Sequence, residues 1–322
     1  VHEGYAGGLK YAGGVITASG EVVLVPRDGE VVGILNPVDM QVRHVVLPGG
    51  RKYAGYSGGV ATSSGKIVFV PYWADVVGVF DPARGSFGEV DISDYVLCTS
   101  KFSGGVLASD GRVVLVPLNA NVIGLFDPEA LTFASVPLPG SSGGGFSGGV
   151  LLPDGRVVLV PHWSDSIGLF DPVSESFSEI QISSVIMSRA KFSGGVLAPG
   201  GKVVFIPLDS SALGLFDPST GQLSMVPIPG ADGSNSGGHG AGYSGGVLTP
   251  DGVVMMPAWS SVVGVYNPHT GEVSTVDAPS EARHGWRYSG GVLLHRGRVV
   301  LVPYHSARIG VFDSSRQKFK DL

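Results

Sequence analysis

The sequence predicts an all-β protein, a seven-bladed β-propeller with four antiparallel strands in each blade. Three observations lead to this prediction. A unit of about 45 residues recurs seven times, which is the repeat length of propeller blades. Each unit opens with an aromatic residue followed by Ser or Ala, two glycines and a valine. Each then continues with short aliphatic segments bounded by Gly, Pro, Asp or Ser, and none of them shows a helical period.

The repeat starts define the expected blades. They fall at Tyr11, Tyr56, Phe102, Phe146, Phe192, Tyr243 and Tyr288, with spacings of 45, 46, 44, 46, 51 and 45 residues. A four-stranded sheet that is apolar on both faces must pack against a neighbour on each side. We therefore expect residues 1–322 to form one domain in which the seven blades close into a ring.

The fourth repeat shows the four strands in order. Residues 146–151, "FSGGVL", form the first strand, and the Asp-Gly turn that follows suits a hairpin requiring positive φ. Residues 156–161, "RVVLVP", are apolar almost throughout, which predicts a strand covered on both faces. Residues 166–172, "SIGLFDP", form the third strand and end in a turn that the proline favours. Residues 177–180, "FSEI", form the outer strand, and residues 318–322, "KFKDL", are expected to do so in blade seven.

The segment from Gly148 to Ile180 resembles the repeat of the NHL and streptogramin-lyase-like propellers. Those repeats share its order of glycine, Pro-Asp-Gly turn, aliphatic strand and Phe-Asp-Pro strand. The linkers "VPLPG" and "VPIPG", at residues 136–140 and 226–230, are also similar to linkers of the lyase-like group. The resemblance covers essentially the whole chain and implies a propeller fold.

Two departures from the lyase pattern bear on activity. In streptogramin lyases the second strand of a blade commonly ends in an acidic residue, whereas proline stands there in all seven copies. These are Pro26, Pro71, Pro117, Pro161, Pro207, Pro257 and Pro303. The histidine that those enzymes place before the first strand is replaced here by the aromatic-Ser/Ala-Gly-Gly signature. The lyase chemistry therefore does not carry over residue by residue.

The amino-acid composition argues against some classes of binding partner. Only 15% of the residues are charged and 43% are hydrophobic, which leaves room for a large buried core. The net charge of −6 argues against a nucleic-acid-binding surface. No run of 18 apolar residues predicts a membrane span, and the single cysteine, Cys98, has no partner for an intramolecular disulfide. Nothing in the sequence indicates a compartment.

The copies alternate at two positions. The residue before the signature aromatic reads Lys10, Gly55, Lys101, Gly145, Lys191, Gly242 and Arg287. The second residue after the strand-two proline reads Asp28, Trp73, Asn119, Trp163, Asp209, Trp259 and His305. A basic residue thus accompanies Asp or Asn, and glycine accompanies Trp, through six copies. The seventh breaks the rule, because basic Arg287 precedes a loop that resembles those of the Trp-containing copies.

Antiparallel neighbours place both positions at one rim, where opposite residues interact. We expect three polar pairs there: Lys10 with Asp28, Lys101 with Asn119, and Lys191 with Asp209. In the other copies we expect each indole to lie against its glycine.

These rim positions supply the candidates for ligand or partner binding: Lys10, Lys101, Lys191, Arg287, Trp73, Trp163, Trp259, His162, His305 and His239. The cations either converge on an anion at the channel mouth or are held in local pairs. The indoles either recognise a protein or sugar or simply cover the glycines. His239 lies in the longest linker, residues 231–242, which is either a loop or a lid.

We expect a non-catalytic recognition or scaffold propeller whose partner is a protein or a small anionic or sugar ligand at the channel mouth. Neither a metal nor a cofactor is expected, because the eight histidines are scattered without ligand spacing. A serine follows the signature aromatic in nearly every copy, whereas catalysis requires one activated nucleophile, so these serines are expected to be structural. The alternatives are a lyase or hydrolase of the streptogramin-lyase-like or lactonase-like class, and a multivalent lectin with several equivalent sites along the Trp rim.

Overall fold

Seven four-stranded antiparallel sheets form a ring in the computed structural model of this chain. The structure describes residues 10–48, 54–139, 143–231, 240–278 and 286–322. In each sheet the strands lie side by side in chain order. The predicted seven-bladed propeller is therefore confirmed. The described ranges contain no helix of a length and hydropathy suited to crossing a membrane.

The first four blades have the following strands. Blade 1 consists of β1 (Tyr11–Ile16), β2 (Val22–Pro26), β3 (Val31–Leu35) and β4 (Val42–Val46). Blade 2 consists of β5 (Tyr56–Ala61), β6 (Ile67–Pro71), β7 (Val76–Asp81) and β8 (Ser86–Asp91). Blade 3 consists of β9 (Phe102–Leu107), β10 (Val113–Pro117), β11 (Val122–Asp127) and β12 (Thr132–Pro137). Blade 4 consists of β13 (Phe146–Leu151), β14 (Val157–Pro161), β15 (Ser166–Asp171) and β16 (Ser176–Gln181). Each inner strand begins at the signature aromatic, and each second strand ends at the proline.

The same pattern continues to the C-terminus. Blade 5 consists of β17 (Phe192–Leu197), β18 (Val203–Pro207), β19 (Ala212–Asp217) and β20 (Gln222–Pro227). Blade 6 consists of β21 (Tyr243–Thr249), β22 (Gly252–Pro257), β23 (Val262–Tyr266) and β24 (Val273–Asp277). Blade 7 consists of β25 (Tyr288–Leu293), β26 (Arg298–Pro303), β27 (Gly310–Asp313) and β28 (Lys318–Asp321), with a single 3₁₀ turn at His295–Gly297. The C-terminal segment pairs with β27 as the outer strand, as expected.

The backbones of the inner strands approach each other at glycine residues near the axis. The first glycine of each signature doublet faces its counterpart in the next blade. A Cβ atom on any of these residues would lie 2.8–3.4 Å from the Cα atom of the next glycine. The seven residues are Gly13, Gly58, Gly104, Gly148, Gly194, Gly245 and Gly290, with φ between 79° and 90°. We expected the glycine doublets to let the inner strands approach the axis closely, and this is confirmed. Neither the φ angle of these glycines nor the space around them admits a side chain.

The hydrophobic core is divided among the blade interfaces. Seven clusters of buried side chains occur among the described residues, and each joins two neighbouring blades. The second glycine of each doublet makes room for this packing. A Cβ atom on Gly149, for example, would lie 2.8 Å from a methyl group of Val106 and 3.1 Å from one of Val116, both in the preceding blade. Each blade is therefore stable only between its neighbours.

A ring of seven backbone hydrogen bonds also links the blades. In each blade the N–H of the residue before the signature aromatic donates to the carbonyl of the residue after the proline in the preceding blade. These bonds are Lys10 to Tyr304 (3.0 Å), Gly55 to Arg27 (2.6 Å), Lys101 to Tyr72 (2.8 Å), Gly145 to Leu118 (2.7 Å), Lys191 to His162 (2.8 Å), Gly242 to Leu208 (2.8 Å) and Arg287 to Ala258 (2.7 Å). The bond from Lys10 joins blade 1 to blade 7, so the ring closes without a strand shared between the two ends.

Replacing an axial glycine tests this close approach. Gly148→Ala places a methyl group 2.8 Å from the Cα atom of Gly194 at a φ of +83°. Gly65→Ala is a matched control, because its φ is also +83° but nothing lies within 4 Å of its Cβ position. We expect the control to lose about 1–2 kcal/mol of unfolding free energy through φ alone. Gly148→Ala should lose about 1–3 kcal/mol more through the clash. Equal losses in guanidinium unfolding would contradict the axial constraint.

Candidate functional site

The candidate residues lie at one end of the propeller, here called the linker face. It consists of the loops that follow the second strands and the linkers that enter the first strands. The inner aromatic pairs directly with the proline of the second strand, as Tyr11 does with Pro26 and Phe146 with Pro161. The two alternating positions found in the sequence are therefore neighbours on this face.

The basic residues that enter blades 3 and 5 form ion pairs between blades. The Nζ of Lys101 donates to Oδ1 of Asp75 in blade 2 over 2.7 Å, and the Nζ of Lys191 donates to Oδ1 of Asp165 in blade 4 over 3.0 Å. The two lysine side chains are only 2–3% exposed, whereas the two aspartates are 68–69% exposed. Each lysine therefore extends through the blade interface and reaches its carboxylate at the surface.

The expected pairing within one blade is wrong for these two lysines. The side chain of Asn119 donates instead to the carbonyl of Thr99 over 3.0 Å, and Lys191 bonds to the preceding blade rather than to Asp209. The physical reason is the backbone hydrogen bond described above. Because the N–H of Lys101 is held by the preceding blade, its side chain also starts at the interface and not over its own blade.

The two remaining cations lie at other interfaces. The ammonium group of Lys10 is 3.4 Å from the carbonyl oxygen of Ser306 in blade 7. Arg287 is 5% exposed at the interface of blades 6 and 7, and burial lowers its pKa. The four basic residues thus occupy four different blade interfaces. Lys101 and Lys191 are each matched by a separate carboxylate.

Two of the three rim indoles are half-exposed. Trp73 is 42% and Trp163 is 46% exposed. The Trp atoms nearest to these glycines belong to the main chain and Cβ and not to the indole that we expected there: a Cβ atom on Gly55 would lie 3.3 Å from Cβ of Trp73, and one on Gly145 would lie 3.3 Å from the carbonyl carbon of Trp163. The glycines thus admit the backbone of the Trp loops, and a large part of each indole remains accessible to a partner.

The third indole has a different environment. Trp259 touches the Cβ position of Gly242, as expected, but its ring also packs edge-on against Trp286, with centroids 5.0 Å apart. Trp286 in turn lies 5.7 Å from the ring of Tyr304 in blade 7. The three indoles are therefore not equivalent, which conflicts with the set of similar sites that the lectin alternative requires.

A buried arginine extends this aromatic chain into blade 1. The guanidinium carbon of Arg27 lies 3.8 Å from the ring centroid of Tyr72, 4.7 Å from that of Trp73 and 5.7 Å from that of Tyr304. Such distances permit cation–π attraction. These four residues, from blades 7, 1 and 2, are called the Arg27 cluster below. Arg27 is 8% exposed, and its Nε atom is buried without a hydrogen-bond partner.

Sequence reasoning missed Arg27, although a signal was present. The position directly after the strand-two proline holds Arg27, Tyr72, Leu118, His162, Leu208, Ala258 and Tyr304. Arginine is the only charged residue among the seven. A lone charge at a position that is otherwise aromatic, aliphatic or imidazole indicates a local role that the repeat itself does not require.

The histidines differ in exposure. His162 is buried, and its Nδ1 donates to the carbonyl of Phe192 over 2.7 Å. Burial lowers the pKa of this imidazole below its ordinary value of 6.5. Its ring also contacts Trp163, with centroids 5.1 Å apart. His305 is exposed and packs edge-on against Tyr304, whereas His239 lies outside the described residues.

The repeated serines near the axis bond to each other. The Oγ atoms of Ser103 and Ser147 are 2.9 Å apart, and those of Ser193 and Ser244 are 3.4 Å apart. Both pairs join neighbouring blades, which supports the structural role expected for them. Within the described ranges, no group of three or more His, Cys, Asp or Glu side chains is arranged to hold a metal ion.

Comparison with solved structures finds other propellers. A virginiamycin B lyase from Staphylococcus aureus has a TM-score of 0.75 at 15% identity, covering 92% of each chain. A streptogramin B lyase has a TM-score of 0.77 at 15% identity, covering 99% of this chain and 96% of the other. The extracellular domain of BT4673 from Bacteroides thetaiotaomicron has a TM-score of 0.73 at 8% identity, covering 98% of this chain and 42% of the other. No family model and no curated protein matches the sequence. At these low identities the likeness shows the fold alone. The resemblance to lyase-like propellers is therefore confirmed at the level of the fold.

Removing the carboxylate partner of a buried lysine tests the ion pairs between blades. Asp75→Asn leaves the ammonium of Lys101 at the interface without its counter-charge, so we expect a loss of about 1–3 kcal/mol in the free energy of unfolding by urea. The control is Asp154→Asn, because Asp154 pairs with Arg156 and both side chains are 39–49% exposed. We expect the control to lose less than about 1 kcal/mol. A larger loss in the control than in Asp75→Asn would contradict this assignment.

The buried imidazole of His162 predicts a pH dependence. The unfolded chain binds a proton at this side chain as the pH falls below 6.5, whereas the folded protein does so only at lower pH. Folding stability should therefore be fully present above pH 6.5 and decrease as the pH falls toward the lowered pKa. His162→Gln should reduce this decrease in urea unfolding measured across that window. Trp163→Phe, its neighbour, should keep the wild-type pH dependence, and an unchanged slope in His162→Gln would contradict the prediction.

Proposed function

We propose that this protein is a non-catalytic recognition propeller that binds a partner protein through its linker face. The observation that carries this proposal is the exposure of apolar side chains there. Trp73 and Trp163 are half-exposed, and the neighbouring linkers expose Leu97 at 92% and Met187 at 89%. Trp is enriched among the residues that dominate protein interfaces, because a buried indole removes a large area from water. Met is likewise enriched at interfaces.

The exposed linker residues are presented by a fixed backbone. Leu97 and Met187 occupy the same position in the linkers that follow blades 2 and 4. Each comes directly after a buried anchor, Val96 at 3% exposure and Ile186 at 8%. The N–H of each anchor donates to the carbonyl four residues earlier over 3.1 Å. A side chain held in this way loses less conformational entropy when a partner covers it.

The hydrogen bonds near the axis support recognition over catalysis. A serine nucleophile requires a neighbouring base, but the described axial serine pairs share their hydroxyl groups with each other. The buried imidazole of His162 donates to a backbone carbonyl and not to a carboxylate that would orient it as a base. These contacts stabilise the blades and leave the linker face as the part suited to a partner.

Lyase activity is a second candidate, because lyases are among the proteins that share this fold. The likeness to streptogramin B lyase extends over 99% of this chain. A virginiamycin B lyase with quinupristin is among the similar structures, with a TM-score of 0.77 over 94% of each chain. The proline at the end of every second strand, where those lyases commonly have an acidic residue, weighs against this candidate.

Changing both exposed indoles tests the proposed partner surface. The double variant Trp73→Ala and Trp163→Ala should lose at least about tenfold in affinity for the partner, because hot-spot indoles contribute this much or more. The partner is first captured from the source cells with the wild-type protein and identified by mass spectrometry. Its affinity is then measured by biolayer interferometry on purified proteins.

The matched control changes exposed apolar residues at the opposite end of the propeller. Val38 is 90% and Val173 is 71% exposed, in the turns between third and fourth strands. The variant Val38→Ser and Val173→Ser should keep the wild-type affinity. Unfolding of the double Trp variant would show that the indoles are structural. Conversion of quinupristin by the wild-type protein would favour the lyase instead.

A further inference from the structure

We propose that the Arg27 cluster is a binding site for the carboxylate of a small aromatic ligand. The site lies on the linker face where blades 7, 1 and 2 meet, and it shares Trp73, but not Trp163, with the proposed partner surface. Its ligand class follows from the charge, the hydrogen-bond donors and the aromatic walls of the cluster, and it does not depend on the partner protein proposed above.

The buried charge of Arg27 has no direct ion-pair partner in the part of the chain that the structure describes. The side chain is 8% exposed, and no ion pair joins it to another described residue. The carboxylate of its sequence neighbour Asp28 lies near the cluster, where it adds to the effect of burial in raising the pKa of Tyr304. A guanidinium removed from water loses hydration that is normally replaced by an acidic partner. The three aromatic rings replace only part of that loss, since cation–π attraction is weaker than an ion pair in a dry site.

The guanidinium also has donors to spare. It carries five N–H groups in a planar fork, and its Nε is fully buried without an acceptor. The ammonium of Lys10, in the same blade, lies 3.4 Å from the carbonyl oxygen of Ser306. One planar cation with free donors matches the two oxygens of a carboxylate, which it binds through parallel hydrogen bonds. A doubly charged phosphate would leave one charge unmatched.

The aromatic rings around Arg27 determine which chemical group the ligand carries beside its carboxylate. Tyr72 and Trp73 come from blade 2 and Tyr304 from blade 7, so rings approach Arg27 from two different blades. Burial raises the pKa of Tyr304, which keeps its phenol protonated and able to donate. Trp73 remains 42% exposed and borders solvent. A flat apolar group attached to the carboxylate can therefore pack on these rings.

Titration with simple anions tests this assignment. Benzoate, acetate and inorganic phosphate are titrated into the wild-type protein by isothermal calorimetry. We expect saturable binding of benzoate with a dissociation constant on the order of 1 mM or tighter, weaker binding of acetate, and the weakest binding of phosphate. Arg27→Gln should weaken benzoate binding at least about tenfold, and Arg27→Lys should also weaken it because lysine lacks the fork.

The matched control is Arg43→Gln. Arg43 belongs to the same blade, but it is exposed and pairs with Glu21 over 3.1 Å, so its variant should bind benzoate as the wild type does. Trp163→Ala, in blade 4, should also keep benzoate binding. That variant separates this site from the proposed partner surface, since either can fail alone.

A measurement on the wild-type protein covers the case in which Arg27 variants fail to fold. The Nε–H resonance of Arg27 in ¹⁵N spectra should shift on addition of benzoate, while that of Arg43 stays in place. Absence of benzoate binding, equal binding of phosphate, or shifts of equal size at the two arginines would each overturn the proposal.

Discussion

The contact between backbones at the axis governs the rest of this molecule. Seven inner strands approach so closely that only glycine fits between them, as at Gly148 and Gly194, where an added Cβ would lie 2.8 Å from the next Cα. Strands this close at the axis diverge outward, and the wedges between them must be filled by side chains from both blades. The hydrophobic core therefore lies between blades, in seven clusters among the described residues. Polar groups buried at an interface then find partners across it, as Lys101 does with Asp75 and His162 does with Phe192.

Two kinds of residue enter the blades at these interfaces, glycine or a basic residue, and the ring has an odd number of blades. Glycine enters blades 2, 4 and 6, and a basic residue enters the other four blades, so two basic entries, Arg287 and Lys10, follow one another around blade 7. Alternation cannot close on an odd ring. Beside this break the structure places Trp286, Tyr304 and Arg27 in one continuous chain of ring contacts. Among the described residues, this departure from symmetry creates a local environment that no other pair of blades repeats, which suits the single ligand that we propose there.

The two proposed binding surfaces rely on different physical interactions. The exposed indoles and linker side chains offer apolar area on a held backbone, which suits a large partner that excludes water. The Arg27 cluster offers one desolvated charge between rings, which suits a small anion whose geometry matches the guanidinium. Proteins of similar fold include both lyases and an extracellular domain. Function in such folds depends on the residues at the ends of the strands and not on the blades.

The sequence alone determined the blades, their strand order and the side of the ring on which the candidate residues lie. Repeat spacing, the aromatic-Gly-Gly entry and the strand-two prolines are local patterns, and local patterns fix strands and turns. The proximity of Trp73 to Gly55 was also predictable, because both belong to one blade. Only the tertiary structure decided that Lys101 pairs with Asp75, that Trp259 packs against Trp286, and that Arg27 lies between rings of blades 2 and 7. The physical reason is that these contacts cross between blades, and the angle at which closed blades meet is set by packing around the axis, which no single repeat encodes.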